Sequence, residues 1–255
     1  MSRVAGRTAL VTGAGNGLGR AIALSLDSAG ADLVLVGRDA GRLEGTARLI
    51  TNGRARVATC DVSAPEAVAR LAADLAGVPV SILINNAGVG GPVRPLVEVE
   101  PAEWDEVFAA NVRSVFLMSR AFLPRMIAAG SGDILNVASV SGKRPLARRT
   151  PYTASKMAVL GLTRTLAFEV APLGVTVNCV SPGPVAGPRM RGNFEREARE
   201  TGTTAAEAER EFTARAAQRR MLTEREVADA VLATLSLTGL CGADIDLSAG
   251  MIAPS

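Results

Sequence analysis

Short apolar runs alternate with segments of helical periodicity along most of this chain. The apolar runs that we predict to be strands are residues 8–11, 33–36, 56–60, 82–84, 133–137, 175–180 and 244–247. The predicted helices are residues 18–29, 40–50, 65–75, about 102–129 and 224–236, with a further helix around Tyr152. Alternation through short connections produces parallel strands with helices on both faces. We therefore expect a three-layer, doubly wound Rossmann-like α/β sheet of about seven strands.

No linker interrupts this alternation, so one domain over residues 1–255 is expected. Hydrophobic residues make up 48% of the chain but aromatic residues only 3%, which suits a buried parallel sheet packed by small-residue helices. Residues 188–220 depart from the pattern because they are polar, charged and rich in alanine. They predict one or two amphipathic helices outside the core, either a solvated surface excursion or a substrate lid. The lid is our working interpretation.

Composition excludes several classes of function. Histidine is absent, which rules out Ser-His-Asp chemistry and histidine-ligated metals. Cys60, Cys179 and Cys241 have no paired spacing, so neither a disulfide framework nor a metal site is indicated. The net charge is +3, but the arginines are scattered and do not interleave with aromatic residues, so nucleic acid is not an expected partner.

No membrane segment is predicted. The first seven residues leave no room for a signal-peptide core, and the longest charge-free stretches, 75–93 and 170–188, are interrupted by Pro, Gly and Asn. We expect a cytoplasmic protein with no membrane contact.

A glycine-rich turn follows the first strand directly and opens a helix. From Thr12 it reads Thr-Gly-Ala-Gly-Asn-Gly-Leu-Gly. Glycines let the backbone approach a pyrophosphate closely, and free N–H groups at a helix N-terminus attract its charge. The spacing through Gly13, Gly17 and Gly19 is G-x-x-x-G-x-G rather than G-x-G-x-x-G. We infer a nucleotide site, with a purely structural turn as the alternative.

The only tyrosine, Tyr152, stands four residues before Lys156, one of two lysines. On a helix these positions share one face, so an ammonium lies beside the phenol and favours its ionised form. Tyr152 is then a candidate proton donor or acceptor at neutral pH. The alternative is a packed tyrosine and a solvated lysine without a chemical role.

The chain resembles the short-chain dehydrogenase/reductase family from about residue 6 to the C-terminus. The motifs that carry the resemblance, in the family's order, are the glycine spacing, Asn85-Asn86-Ala87-Gly88, a serine before the tyrosine, Tyr152-x-x-x-Lys156 and Pro182-Gly183. The nearest general analogy is with 3-oxoacyl-acyl-carrier-protein reductases. The resemblance implies an NAD(P)-dependent oxidoreductase that transfers a hydride between nicotinamide and a ketone or secondary alcohol, commonly as a homotetramer.

The resemblance also implies roles for individual residues. Tyr152 would exchange a proton with the substrate oxygen, while Lys156 would assist it and hydrogen-bond the nicotinamide ribose. The hydroxyl of Ser139 would polarise the substrate carbonyl, with Ser141 as the nearby rival.

Asn111 can be singled out from the sequence without reference to the family. It interrupts an apolar helical stripe of Trp104, Phe108, Val115, Met118 and Phe122, and a buried amide must find partners. It is either structural or, as the resemblance implies, a fourth catalytic residue that holds a water relaying protons from Lys156.

The resemblance further implies a set of cofactor-binding residues. Asp61 and Val62 would contact the adenine, and Pro182 and Val185 the nicotinamide carboxamide. Gly187 departs from the pattern, because the family often has threonine there. The full set is Gly13, Asn16, Gly17, Leu18, Gly19, Arg38, Asp61, Val62, Asn86, Ala87, Gly88, Tyr152, Lys156, Pro182, Gly183 and Val185.

The end of the second strand indicates which cofactor is used. It reads Val36-Gly37-Arg38-Asp39. An NAD enzyme of this kind would usually carry a carboxylate at position 37, whereas Arg38 can pair with a 2′-phosphate. We predict NADP(H) over NAD(H), although a small shift of Asp39 toward the ribose would reverse the preference.

The resemblance implies a small ketone or secondary alcohol as the substrate, and basic residues near the site could form a cationic mouth for an anionic one. The alternative is that arginine is simply abundant in this chain. Two rival functions use the same fold: a catalytically silent nucleotide-binding sensor or scaffold, and an epimerase or dehydratase that recycles its nicotinamide. The basic residues in question are Lys143, Arg144, Arg148, Arg149, Arg189 and Arg191.

Overall fold

The computed structural model describes residues 3–251. The strands are β1 Thr8–Thr12, β2 Asp32–Gly37, β3 Ala55–Thr59, β4 Val80–Asn85, β5 Gly132–Val137, β6 Val175–Pro182 and β7 Asp244–Leu247. They form one seven-stranded parallel sheet in the order β3-β2-β1-β4-β5-β6-β7. The predicted doubly wound Rossmann-like sheet is confirmed.

The helices pack on both faces of this sheet. They are α1 Gly17–Ser28, α2 Ala40–Ala47, α3 Pro65–Asp74, α4 Pro101–Phe108, α5 Ser114–Ala128, α6 Thr150–Val170, α7 Pro188–Thr201, α8 Ala205–Thr213 and α9 Glu224–Ser236. Short 3₁₀ turns cover Leu96–Glu98, Val140–Gly142 and Ala171–Leu173. In the part of the chain described, no helix is long and apolar enough to cross a bilayer.

The alternation of side chains along β1 explains the three layers. Ala9 and Val11 point to the face covered by α1 and α9, whereas Leu10 points to the face covered by α3 and α5. Both faces are therefore buried, which accounts for the nearly continuous apolar runs of the strands. The carboxyl ends of the central strands open at one edge, where sheets of this kind bind ligands.

The predicted helix over residues 102–129 is not one continuous α-helix. A π-helical turn, Ala109–Arg113, separates α4 from α5 and contains Asn111. The predicted extent is confirmed, because the chain is helical throughout from Pro101 to Ala128, but the apolar stripe did not predict the π-turn. A single π-turn inside a helix is common at functional sites, since it reorients one side chain.

Residues 188–220 contain two helices, as predicted. Gly202, at φ +72°, ends α7, and Thr204 begins α8 with a reciprocal capping box to Glu207. The two helices pack through Phe194 and Phe212, whose ring centroids lie 5.5 Å apart.

A buried chain of polar side chains ties the carboxyl end of the sheet to α6. Asn85 Nδ2 donates to Asn136 Oδ1 at 2.9 Å, and Asn136 Nδ2 donates to Thr163 Oγ1 at 2.9 Å. Thr163 in turn donates to the Val159 carbonyl at 2.8 Å. These groups are all buried, so each needs its partner, and together they fix α6 against β4 and β5.

Replacing Asn136 should therefore be costly. We expect Asn136→Ala to lower the free energy of unfolding by about 2–4 kcal/mol, because Asn85 and Thr163 would each lose a buried partner. Urea unfolding followed by circular dichroism measures this. Glu44→Ala, at an exposed position of α2, serves as the control and should change stability by no more than about 0.5 kcal/mol. Equal stability of the two variants would contradict the role given to the buried chain.

Candidate active site

A large cavity of about 1250 Å³ runs along the carboxyl edge of the sheet. It is lined by the glycine turn after β1, by the loops after β2 to β6 and by α7. Every predicted cofactor residue lines it, as do Ser139, Tyr152 and Lys156. Asn111 is the one predicted site residue that does not.

The glycine turn has the geometry that its sequence predicts. Gly13 and Gly17 adopt positive φ angles of +69° and +51°, which favour glycine. A Cβ atom placed on Gly19 would lie only 2.1 Å from the Gly13 carbonyl oxygen. Any larger residue at position 19 would thus force the turn open, so glycine is required there.

The turn fits a pyrophosphate by its chemistry as well as its shape. Asn16 precedes α1 without a side-chain hydrogen bond to its first amides, and the first turn of α1 carries no acidic residue. The N–H groups at the start of α1 are therefore available to an anion. Thus the residues present fit the phosphates of a dinucleotide.

Thr12, which the sequence analysis did not single out, joins this turn to the loop after β4. Its hydroxyl donates to the Ile84 carbonyl at 3.2 Å and accepts from the amides of Asn86 and Ala87 at 2.9 and 3.0 Å. Asn86 Nδ2 completes the junction by donating to the Thr12 carbonyl at 2.9 Å. A threonine at a strand end gives no sequence signal of such a role.

Lys156 and Tyr152 share one face of α6, as their spacing predicts. The Lys156 ammonium is buried and donates to the Val137 carbonyl at 2.9 Å. It lies 5.8 Å from the centroid of the Tyr152 ring. The end of β5 thus holds the cation beside the phenol.

Ser139 follows β5 and also lines the cavity. Its Oγ accepts from the Ser141 amide at 3.1 Å and lies 3.5 Å from the Pro182 carbonyl oxygen, to which it donates. The rival, Ser141, also lines the cavity, and its backbone amide is the group that donates to Ser139 Oγ in this turn. The side chain of Ser139 therefore forms hydrogen bonds in this turn, whereas Ser141 contributes its main-chain amide.

Asn111 lies behind the cavity wall and is almost fully buried. Its Oδ1 accepts from the Val89 amide at 2.7 Å, and its Nδ2 donates to the Val89 carbonyl and to Ser155 Oγ, both at 3.0 Å. Ser155 donates to the Tyr152 carbonyl at 2.7 Å. Asn111 therefore connects the loop after β4 to the helix that carries Tyr152.

Ser155 was missed because a serine inside a helix looks ordinary in the sequence. Gly88 also has a reason to be glycine, since a Cβ atom there would lie 2.8 Å from Asn111 Oδ1.

The basic residues of the active-site loop divide into two groups. Arg144, Arg148 and Arg149 line the cavity, and the Arg149 guanidinium lies 5.2 Å from the centroid of the Tyr152 ring. Arg149 also donates to the Gly90 carbonyl at 2.8 Å. Three cations thus line the cavity, and one of them, Arg149, lies beside the phenol.

Lys143 does not line the cavity, contrary to its predicted place in a cationic mouth. It pairs instead with Asp244 at 2.6 Å and with Asp246 on β7. Although burial alone would lower the pKa of Lys143, hydrogen bonds with these carboxylates raise it above its ordinary value. Arg191 is exposed and also lies away from the cavity, and the side chain of Arg189 lies outside the described residues.

At the opposite end of the cavity lie Gly37, Arg38, Asp39 and Arg42. Asp39 caps α2, where its carboxylate accepts from the Arg42 amide at 3.0 Å and lies 3.2 Å from Arg42 Nε. The carboxylate that could have turned toward a ribose is therefore engaged with its own helix.

Asp61 is engaged in a similar way at this end. Hydrogen bonds from the hydroxyl and the amide of Ser63 lower the pKa of Asp61, so that it carries a full negative charge at neutral pH.

The helices of residues 188–220 contribute to the cavity wall. Met190, Asn193, Phe194 and Glu197 on α7 line it, together with Phe212 on α8. The segment therefore forms part of the wall of the cavity that Tyr152 also lines.

Comparison with known proteins agrees with this geometry. The family model described as short chain dehydrogenase matches residues 7–199. The galactitol 2-dehydrogenase (L-tagatose-forming) of Cereibacter sphaeroides is 42% identical over 188 residues, which are 72% of this chain and 73% of that protein.

Solved structures show the same likeness over nearly the full length. An actinorhodin polyketide ketoreductase with NADPH is 31% identical with a TM-score of 0.90, covering 98% of this chain and 99% of that one. An NAD+-bound xylitol dehydrogenase is 27% identical with a TM-score of 0.90, covering 98% of this chain and 100% of that one. The chain belongs to the short-chain dehydrogenase/reductase family of NAD(P)-dependent oxidoreductases acting on CH–OH groups.

Proposed function

We propose that this protein interconverts a ketone and a secondary alcohol with NADP(H), and that Tyr152 exchanges the proton with the substrate oxygen. One observation carries the proposal: Ser139, Tyr152 and Lys156 line the same cavity as the glycine turn after β1. A dinucleotide held at that turn and a carbonyl held near the phenol would share one enclosed space.

Each side chain then has a defined task. When bound, the nicotinamide supplies or accepts the hydride. Ser139 donates a hydrogen bond to the carbonyl oxygen and stabilises the negative charge that develops there. Tyr152 gives its proton to that oxygen during reduction and takes it back during oxidation.

The two cations beside the ring, Lys156 and Arg149, stabilise the phenolate left after proton transfer. Asn111 acts from behind the cavity wall, where its side chain connects α6 to the loop that follows β4. A water relay from Lys156 through Asn111, as the family resemblance implies, is part of the proposal.

Charge supports NADP(H) as the preferred cofactor. Gly37 leaves the end of β2 without a carboxylate, while Arg38 and Arg42 both line that end of the cavity. Asp39 caps α2 and pairs with Arg42, so its carboxylate already has partners of its own. Two guanidinium groups can pair with a 2′-phosphate that NAD(H) lacks.

The substrate is proposed to carry an anionic group. Arg144, Arg148 and Arg149 line the cavity, and Arg149 lies beside the Tyr152 ring, whereas Glu106 and Glu197 are among the carboxylates that line the same cavity. Neutral polyols are the second candidate, since two relatives are named as galactitol and xylitol dehydrogenases. Equal activity on acidic and neutral ketones of one size would remove the anionic assignment.

We further propose a one-domain, cytoplasmic homotetramer in which residues 188–220 close over the substrate. Exposed Phe116 on α5 and exposed Met157 and Phe168 on α6 support association through these helices. A monomer in analytical ultracentrifugation would contradict the proposed homotetramer.

Replacing Tyr152 separates catalysis from binding. We expect Tyr152→Phe to lower kcat by about 10²–10⁴-fold, because the phenyl ring cannot transfer a proton, while dinucleotide affinity stays nearly unchanged. Nicotinamide absorbance and fluorescence titration measure the two quantities. A wild-type protein that binds the dinucleotide but turns over no ketone or alcohol would instead favour the silent nucleotide-binding protein.

The two serines provide a matched pair. Ser139→Ala should lower kcat by about 10²–10³-fold, since it removes a donor to the developing oxyanion. Ser141→Ala should retain most activity, because the amide of Ser141 remains in place to hold the turn. Initial rates at saturating cofactor measure both. The reverse ranking would transfer the assigned role to Ser141.

Cofactor preference should depend on Arg38. The wild type should show a higher kcat/KM with NADPH than with NADH, and Arg38→Ala should lower the NADPH value by about 10- to 100-fold through loss of a charge-assisted pair. The NADH value should change little, which serves as the internal control. A wild-type preference for NADH would overturn the assignment.

A further inference from the structure

Glu224 stands where the cavity is expected to hold negative charge. It is the first residue of α9 and lines the cavity. Its Oε1 lies 3.6 Å from the position that a Cβ atom on Gly17 would occupy and 3.7 Å from the corresponding position on Gly187. The carboxylate therefore lies between the glycine turn after β1 and the loop after β6.

This carboxylate is not tied to a neighbouring side chain. Among residues 3–251, no hydrogen bond or ion pair to the Glu224 carboxylate is formed. Glu226, two residues later, behaves differently: its hydrogen bonds with Arg220 and Thr223 lower its pKa to about 2. At the start of α9, the Glu226 carboxylate thus stabilises the helix cap, whereas the Glu224 carboxylate faces the cavity.

The Glu224 carboxylate lies close to the start of α1 and interacts electrostatically with it. Gly17 begins α1, whose first turn has no acidic residue and whose amides lack a side-chain cap. The start of a helix carries partial positive charge, so a nearby carboxylate is stabilised there. The same charge is what attracts a pyrophosphate in the proposed function.

We propose that Glu224 is a built-in competitor of the dinucleotide pyrophosphate. In the free protein its carboxylate partly neutralises the start of α1. When a dinucleotide binds, the carboxylate opposes two phosphate charges, weakens binding and speeds release. The inference rests on the proposed function, since it requires a dinucleotide at the glycine turn.

The test compares Glu224→Gln with the wild type. Glutamine keeps the shape of the side chain and removes its charge. We expect the Kd for NADPH, measured by fluorescence titration, to fall by roughly 5- to 30-fold at low ionic strength, with a slower dissociation rate in stopped-flow chase experiments. The difference should narrow in high salt, because partly exposed charges are screened.

Two controls locate the effect. Glu66→Gln removes an acidic residue from the first turn of α3, away from the cavity, and should leave the Kd unchanged. ADP-ribose, which retains the pyrophosphate but lacks the nicotinamide, should gain affinity for Glu224→Gln by the same factor in isothermal titration calorimetry.

The outcomes are distinguishable. Unchanged or weaker NADPH binding by Glu224→Gln would overturn the inference and leave the proposed function standing. A gain in NADPH affinity that ADP-ribose does not share would have the same consequence. A wild-type protein that binds neither NADPH nor NADH would overturn both.

Discussion

The candidate active site depends on a buried cation that is held by a backbone carbonyl. Lys156 is almost fully buried, yet its ammonium donates to the Val137 carbonyl rather than to a carboxylate. A charge in this setting is expensive unless its position is fixed, so α6 must lie close against the end of β5. The adjacent residue, Asn136, holds the same helix two turns further on through Thr163. Two successive residues at the end of one strand thus place the helix that presents Tyr152.

Much of this arrangement could be predicted from the sequence, for a physical reason. Alternating apolar strands and helices admit few topologies, and the predicted bounds of α9 and β7 match the structure. The glycine turn, Tyr152 and Lys156 were identifiable because the chemistry restricts which residues can occupy those positions. The π-turn at Asn111 could not be predicted. The apolar stripe is compatible with a continuous α-helix and also with a helix that contains one π-turn. The contacts that decide between them come from Val89 and Ser155, on other elements.

The failure at Lys143 has a similar origin. Its place between Ser139 and Tyr152 suggested a side chain directed at the substrate, but two aspartates from β7, about a hundred residues later in the chain, attract it elsewhere. Sequence proximity to a site says little about the direction of a long, flexible side chain. Arg149 differs because its guanidinium lies over the ring of Tyr152 and is anchored by a carbonyl on the neighbouring loop.

The charges along the cavity suggest how affinity and selectivity are separated. On the proposed assignment, Arg38 and Arg42 attract the one phosphate that distinguishes NADP(H) from NAD(H). Glu224 opposes the pyrophosphate that both cofactors share. A repulsion common to both lowers their affinities by the same factor and leaves their ratio unchanged. The enzyme can then discriminate by charge at one end of the cavity without binding the spent cofactor so tightly that its release limits turnover.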